Sequence, residues 1–341
     1  MKARAATCLG FILVVISMLT VLVVTSSARV SAQASNANAA QGIEISPALV
    51  ELNGAAGGTY AINLTVTNVT LTDLLYTVSV DDFTAKDETG TPQILLDSPL
   101  PESASIRNWV ATPTTFTLKS RESRTVTAQV TIPANAEPGG HYGVVRFSGQ
   151  APEVEDTGVG LSASAGTLLL IRVDGDINEQ ASLASFFTAI NGNQTFLFET
   201  SPISFVTRIN NEGNIHVKPV GSIEVKNAFG GIVTTIPLNA EKSNVLPDSI
   251  RRFDTQYDGG WMIGYYTANL TLGYGTTGQA LTSTISFWVI PYRLILAALL
   301  VLVTVGYILS RLVKVYNKRI ITKATQTHDK KPTKPAKGKK K

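Results

Sequence analysis

The sequence predicts an all-β protein of two tandem β-sandwiches, followed by one C-terminal transmembrane helix. Three observations carry this prediction. Apolar and polar residues alternate along several segments, which is the period of half-buried strands. This alternating pattern occurs in two copies, and glycine-rich turns separate its segments. A run without charged residues at 294–309, near the C-terminus, has the composition of a membrane helix.

Residues 1–34 form a predicted signal peptide. An apolar core at 10–24 follows two basic residues, and the small-residue stretch SAQA behind it suits signal peptidase. An uncleaved N-terminal anchor is the alternative. The chain has one cysteine, Cys8, which lies within this segment. The remaining chain therefore has neither disulfides nor a thiol nucleophile, which favours a bacterial envelope over a eukaryotic cell surface.

Residues 42–175 are predicted to form the first sandwich, and residues 183–290 the second. In the segment AINLTVTN, Ile62, Leu64 and Val66 point to one side of a strand, and the intervening polar residues point to the other. An early strand that ends in asparagine and a turn occurs as INLTVTN and again as SFVTRINNEGN. The two segments are therefore interpreted as copies of one fold.

Each copy also has a glycine-bearing corner followed by the penultimate strand, with the sequences GGHYGVVRF and GYYTANLTLGYG. A tyrosine at this place matches the tyrosine corner of immunoglobulin-like sandwiches, whose hydroxyl bonds to backbone a few residues upstream. We therefore predict that both sandwiches are immunoglobulin-like. Their structural corner residues are predicted to be Gly139, Gly140, Tyr142 and Tyr266. This assigns His141 to a surface turn.

The sequence predicts no catalytic, cofactor or metal site. Its three histidines lack metal-ligand spacing, and neither a nucleophile elbow nor a phosphate-binding loop nor a dinucleotide motif is present. The acidic residues between 81 and 88 are interpreted as a solvated loop. Arg146, in phase with Tyr142, is expected near a strand end and paired with a carboxylate. The protein is expected not to be an enzyme.

Charge is divided unevenly along the chain. Residues 35–292 contain 13 Lys and Arg against 24 Asp and Glu, whereas residues 311–341 contain 12 basic residues and one acid. The basic balance therefore belongs to the tail, and nucleic acid is not an expected partner. With a transmembrane helix at 291–313 and a basic tail at 314–341, the tail is predicted to be cytoplasmic. The ectodomain then faces outward from the plasma membrane.

The end of the second sandwich next to the helix is predicted to meet the lipid bilayer. Only two or three residues separate its last strand from the helix, so the loop DGGWMIG lies at the same end. The alternative is that the apolar residues of this loop cap the core. The predicted membrane-interface residues are Trp261, Met262, Ile263, Trp288 and Tyr292. By the same logic, PGGHYG faces the second sandwich at its loops 210–214 and 274–278.

The opposite, outermost end is the predicted ligand-binding tip, because loops on a rigid scaffold commonly carry binding residues. It is expected to contain the segments 67–73, 149–166 and 84–112. Its candidate ligand residues are Asn68, Asp73, Glu153, Glu155 and Asp156.

Several features together resemble bacterial membrane-anchored surface proteins of the WxL-interacting type. These features are the signal peptide, the opening strand IEISPALVEL, the corner VTIPANAEPGGHYG, a second sandwich, and a terminal helix with a lysine-rich tail. The resemblance implies an ectodomain that holds peptidoglycan or another surface protein, and no ligand residue carries over. The expected function is non-enzymatic binding or scaffolding. The alternatives are a chaperone-like assembly module that acts by strand addition and an enzyme.

Overall fold

A computed structural model describes residues 42–96, 100–150 and 162–328. The predicted signal peptide, the three candidate tip residues Glu153, Glu155 and Asp156, and the tail beyond 328 lie outside the described residues. From Ile43 onward, the chain forms one unit.

The first sandwich consists of two packed sheets with the strand orders β1-β3-β8-β6 and β2-β10-β9-β4-β5, and β7 also pairs with β4. Its strands are β1 (Ile43–Ser46), β2 (Leu49–Gly54), β3 (Thr59–Asn68), β4 (Leu74–Ala85), β5 (Pro92–Leu95), β6 (Val110–Ala111), β7 (Thr115–Leu118), β8 (Ser123–Thr131), β9 (Gly139–Gln150) and β10 (Ser162–Val173).

The second sandwich has the strand orders β12-β11-β14-β17 and β13-β19-β18-β15-β16. Its strands are β11 (Ala181–Ile190), β12 (Asn193–Gln194), β13 (Leu197–Phe198), β14 (Ile203–Asn211), β15 (Val220–Asn227), β16 (Ile232–Leu238), β17 (Ser249–Tyr257), β18 (Gly264–Tyr274) and β19 (Gln279–Val289).

The two sandwiches repeat one topology, which confirms the predicted immunoglobulin-like class. In each sandwich, the chain forms its first strand in one sheet and then a short strand in the other sheet, parallel to the last strand. These parallel pairs are β2 with β10 and β13 with β19. The last two strands pair antiparallel in both copies. The next neighbour is also equivalent, because β9 pairs with β4 and β18 pairs with β15.

The strand alternation read from the sequence matches the packing of the cores. Ile62, Leu64 and Val66 are at most 8% exposed and lie in the first core. On β18, Ala268 and Leu270 are almost fully buried in the second core. Strands with one buried and one solvated face require this period of two.

A helix, α1 (Tyr292–His328), follows the second sandwich. Its segment Tyr292–Thr322 is long and apolar enough to cross a membrane, and none of its most apolar stretch is buried within the protein. The helix continues beyond the predicted boundary at residue 313. No glycine or proline occurs between 307 and 328 to end it, and lysine and arginine are good helix formers.

Candidate functional site

The corner of the second sandwich is formed as predicted, by Tyr266. Its hydroxyl accepts a hydrogen bond from the Ile263 backbone N–H at 3.1 Å and donates to the Ile263 carbonyl oxygen at 3.2 Å. The ring is buried in the core against Phe287. Tyr266 therefore fixes the turn that enters β18.

In the first sandwich, the corner residue is His141, so its assignment to a surface turn is wrong. Gly139 pairs with Val173 at the end of the last strand as Gly264 pairs with Val289, and this register places His141 where the second copy has Tyr266. His141 is 5% exposed. Its Nε2 lies 2.8 Å from the Glu137 carbonyl oxygen, and its Nδ1 lies 2.9 Å from that of Ala104.

Tyr142 lies on the outer face of β9, so its predicted role as the corner residue is also wrong. Its hydroxyl reaches the second sandwich, where it accepts a hydrogen bond from the His216 backbone N–H at 2.8 Å and lies 3.3 Å from His216 Nδ1. The two rings meet edge to face at 5.7 Å. Tyr142 therefore belongs to the contact between the sandwiches, which we call the joint.

Burial fixes the protonation of both Tyr142 and His216. Burial raises the pKa of Tyr142 well above its ordinary value of 10 and outweighs the opposing hydrogen bond from the His216 backbone. Burial also lowers the pKa of His216 from 6.5 to about 4. At neutral pH, the phenol is therefore protonated and the imidazole is neutral, so the pair joins two uncharged groups.

Asn214 is the second element of the joint. Its backbone carbonyl accepts a hydrogen bond from the Gly140 N–H at 2.8 Å, and its side chain reaches the carbonyl oxygens of Pro138 and Asp176. The predicted meeting of PGGHYG with the loop 210–214 is thus confirmed. The loop 274–278 bonds to a different residue, Glu179, through the Thr276 N–H at 2.6 Å.

The insertion after β4 forms the third element of the joint, so its predicted place at the outermost end is wrong. The Glu88 carboxylate forms a two-pronged ion pair with Arg208 of the second sandwich, with Nε to Oε2 at 2.7 Å. The Glu88 carbonyl accepts the Arg252 N–H at 2.7 Å. Hydrogen bonding from Arg208 lowers the pKa of Glu88. The hairpin turns this way because β4 ends at the side nearer the second sandwich.

Two acids within β4, Asp81 and Asp82, bond to residues of the insertion and of β9. The interpretation of residues 81–88 as a solvated loop is therefore wrong for these two. Asp82 is fully buried and accepts hydrogen bonds from Ser105 Oγ at 2.7 Å and from the Ile106 N–H at 2.9 Å. Asp81 pairs with Arg146 at 2.9 Å. The expected carboxylate partner of Arg146 is therefore present, although Arg146 lies within β9.

Two further ion pairs lie at the joint. Lys218 of the second sandwich bonds to Glu51 of β2, and Arg172 lies 3.7 Å from Glu179. Burial alone would raise the pKa of Glu51, but hydrogen bonds from Lys218 and Asn244 outweigh it and hold that pKa below its ordinary value.

A crevice of about 640 Å³ opens beside the joint, between the insertion and the second sandwich. Leu100, Pro138 and Leu246 contribute apolar walls, and His141 lines it with both ring nitrogens already facing carbonyl oxygens. Among the described residues, no group of three or more His, Cys, Asp or Glu side chains is placed to hold a metal ion.

The far end of the first sandwich, which we define as the turn 68–73 and the β10 segment 162–167, contains the two described candidate tip residues. Asn68 is fully buried and bonds within the turn, so its predicted contact with a ligand is wrong. Asp73 is exposed and accepts the Ser120 N–H at 3.0 Å. Leu71, which the sequence did not single out, is 79% exposed at the top of the turn.

At the opposite end, the predicted membrane-interface residues divide into two groups. Trp261 is 81% and Ile263 63% exposed, whereas Met262 is 6% exposed and packs in the second core. The assignment of Met262 to the interface is therefore wrong. Trp288 and Tyr292 are about half exposed near the start of α1.

No protein-family model matches the chain, and no curated protein matches it. Among solved structures, the class 5 fimbriae chaperone CfaA is 14% identical, with 71% of this chain and 98% of that chain covered and a TM-score of 0.38. The CupB2 chaperone of Pseudomonas aeruginosa is 13% identical, with 72% and 100% covered and a TM-score of 0.33. A Porphyromonas gingivalis protein of unknown function is 12% identical, with 73% and 100% covered and a TM-score of 0.29. At these scores, the likenesses add nothing to the fold described from its sheets.

Proposed function

We propose that this chain is a single-pass protein of the plasma membrane and that it acts by binding. Its ectodomain faces outward, and its basic tail lies in the cytoplasm. The far end of the first sandwich is presented to peptidoglycan or to another surface protein, as the resemblance to WxL-interacting proteins implies. One observation carries this proposal: the joint fixes the two sandwiches to each other, and α1 begins three residues after β19.

The joint resists bending because its contacts lie on several sides of the linker between the two sandwiches. Tyr142 and Asn214 bond near the linker, Glu88 bonds Arg208 on the insertion side, and Lys218 bonds β2. A hinge motion would break several of these polar contacts together. Loss of the largely buried Tyr142 contact costs about 1–3 kcal/mol, and the partly exposed ion pairs add about 0–1 kcal/mol each. The ectodomain is thus suited to hold a binding end at a fixed distance from its anchor.

The far end is itself rigid. Ser120 Oγ donates to the Thr70 carbonyl oxygen at 3.0 Å, and the hydroxyls of Thr67 and Ser123 lie 2.8 Å apart. The first bond joins the turn after β3 to the turn before β8, and the second joins the adjoining ends of these two strands. Leu71 is an exposed apolar side chain on the ordered turn after β3, so a partner that covers it would have little backbone to order.

We expect Leu71→Asp to weaken ligand capture about tenfold, because binding would desolvate a carboxylate where the wild-type chain presents an apolar side chain. Leu96→Asp is the matched control: Leu96 is 53% exposed but lies on the insertion. The full chain in nanodiscs is incubated with purified sacculi and separately with solubilised surface proteins, and bound material is quantified. The proposal fails if neither fraction is captured, or if the two variants bind equally.

A second candidate function, an assembly module that acts by strand addition, rests on the edge of β10. Residues 168–173 of β10 pair with β2, but no described strand pairs with the same side of residues 162–167. The Leu168 N–H points toward this side, because it donates to the Ala48 carbonyl. With a period of two, the N–H groups of Ser164 and Gly166 point the same way. Exposed edges of this kind accept a strand from another chain.

Ser164→Pro tests strand addition, because it removes an outward N–H and leaves the ladder with β9 complete. We expect it to abolish capture of an extended segment while the thermal unfolding midpoint changes little. Ala165→Pro, one residue on, removes a bond to β9 and is expected to destabilise the sandwich by about 1–3 kcal/mol. Unchanged capture by the Ser164→Pro chain would exclude strand addition at this edge.

A further inference from the structure

The exposed large apolar side chains of the second sandwich are gathered at one end. Between residues 181 and 289 there are ten of them, and only Val220 lies at the end near the joint. The other nine occupy strand ends and turns beside the start of α1. They are Ile190, Phe196, Leu197, Phe229, Ile232, Val233, Trp261, Ile263 and Trp288. We call these nine residues the apolar base.

Strand register places these residues together although they are distant in sequence. The Trp288 N–H donates to the Phe196 carbonyl at 2.7 Å, so Phe196 lies beside the end of β19. Asn227, the last residue of β15, pairs with Tyr266, so the turn holding Phe229 lies at the same end as the loop before β18. Turns from both sheets thus contribute to the apolar base.

This end of the sandwich is also almost free of charge. The segments 190–198, 227–238 and 259–267 contain no Asp, Glu, Lys or Arg. Two carboxylates border these segments: Asp258 is exposed beside Gly259, and Glu199 pairs with Arg293 in the first turn of α1 at 3.3 Å. That contact ties the apolar base directly to the helix.

The exposed residues stand on ordered turns. Met262 is buried beneath Trp261 and Ile263, so this loop is anchored in the core while its neighbours point outward. The Tyr266 hydroxyl holds the Ile263 backbone, and Ser201 Oγ donates to the Gly259 carbonyl at 2.6 Å. Phe229 is 98% exposed on the turn between β15 and β16. An apolar side chain held out in this way has no partner within the described chain.

We propose that the apolar base is seated in the headgroup region of the bilayer that α1 crosses, so that the second sandwich binds the lipid surface as well as being tethered to it. This inference rests on the proposed membrane crossing. Leu294, the first residue of the uncharged run, is five residues after Val289, which leaves at most about 18 Å of extended chain between sandwich and hydrocarbon. Tryptophan and other amphipathic aromatic rings are enriched at this depth of a membrane.

The test uses the full chain in vesicles of phosphatidylcholine and phosphatidylglycerol, with Cys8→Ser and one new cysteine that carries an environment-sensitive fluorophore. The labelled positions are Phe229→Cys and Trp261→Cys, both highly exposed, so the fold does not depend on them. Thr277→Cys, exposed on the turn at the opposite end, is the control. We expect the two base labels to emit at shorter wavelength and to be quenched about threefold more strongly by lipid-borne quenchers than the control.

The label measurements and a flotation assay separate the possibilities. Base labels that behave like the Thr277→Cys label overturn the inference, as do base labels shielded from water but not quenched by lipid, since another protein copy would then cover them. Flotation of the vesicles in alkaline carbonate is measured in parallel. A chain that does not float contradicts the proposed membrane anchor, whereas one that floats with water-exposed labels contradicts only the docking of the apolar base.

Discussion

Asn68→Ala is expected to lower the free energy of unfolding of the first sandwich by about 3 kcal/mol. The fully buried amide donates to the carbonyl oxygens of Thr72, Leu118 and Lys119, and its oxygen accepts the Thr70 N–H at 2.9 Å. Alanine would remove one hydrogen-bond partner from each of these backbone groups, and each buried group left unsatisfied costs about 1–3 kcal/mol. The turn can relax so that water reaches some of these groups, which offsets part of their summed cost.

Asn63→Ala is the matched control, because Asn63 is on the same strand but on its exposed face, where it accepts one hydrogen bond from Thr127 at 2.9 Å. Its cost is expected to stay within about 0.5 kcal/mol. Urea denaturation of the full chain in detergent, followed by tryptophan fluorescence, measures both variants. Equal costs for the two substitutions would contradict the structural role assigned to Asn68.

The sequence contained the signal for this role. Asn68 continues the series Ile62, Leu64 and Val66 with a period of two, so it lies on the buried face. The second copy supports the same interpretation, because Asn211 at the end of β14 is also fully buried and donates to the carbonyl oxygens of Ile215 and Val245. The position of Asn68 at a strand end suggested a role in ligand binding, but the alternation of buried and exposed residues indicated its burial correctly.

The corner of the first sandwich shows where the pattern was insufficient. Tyrosine opens β9 just as it opens β18, so the sequence placed Tyr142 and Tyr266 in one role. The pairing of β9 with β10 instead aligns His141 with Tyr266. A one-residue difference in register reverses every side chain of a strand. Pairing between distant strands sets this register, and local sequence does not reveal it.

Long-range contacts also decided where the insertion after β4 lies. The sequence indicated surplus residues between 84 and 112, but their direction depends on which end of β4 they leave. A clue was available in the dipeptide Asp81-Asp82 between Val80 and Phe83, since two acids within an apolar strand require partners. The sequence likewise indicated only part of the apolar base. Phe196 and Phe229 are distant from Trp261 in the sequence, and only the sheet topology brings them to the same end.

Gly139→Ala is expected to loosen the joint while both sandwiches stay folded. Gly139 has a φ of +131°, a conformation that residues with a side chain rarely adopt. A Cβ there would lie 2.6 Å from the Asn214 carbonyl oxygen, which is backbone of the second sandwich. The carbonyl must move away, and its hydrogen bond from Gly140 and the adjacent contact between Tyr142 and His216 weaken with it.

Gly57→Ala separates the two causes, because Gly57 has a φ of +80° but open space where its Cβ would lie. Both variants are expected to lose about 1–2 kcal/mol from backbone strain. Only Gly139→Ala should also broaden the distance distribution between spin labels at Thr125 of the first sandwich and Thr282 of the second, measured by electron paramagnetic resonance. If the joint holds the two sandwiches, a clash within the joint must broaden the distance distribution. If only the short linker holds them, both variants would give the same distance distribution. That second result would remove the rigid connection on which the proposed function depends.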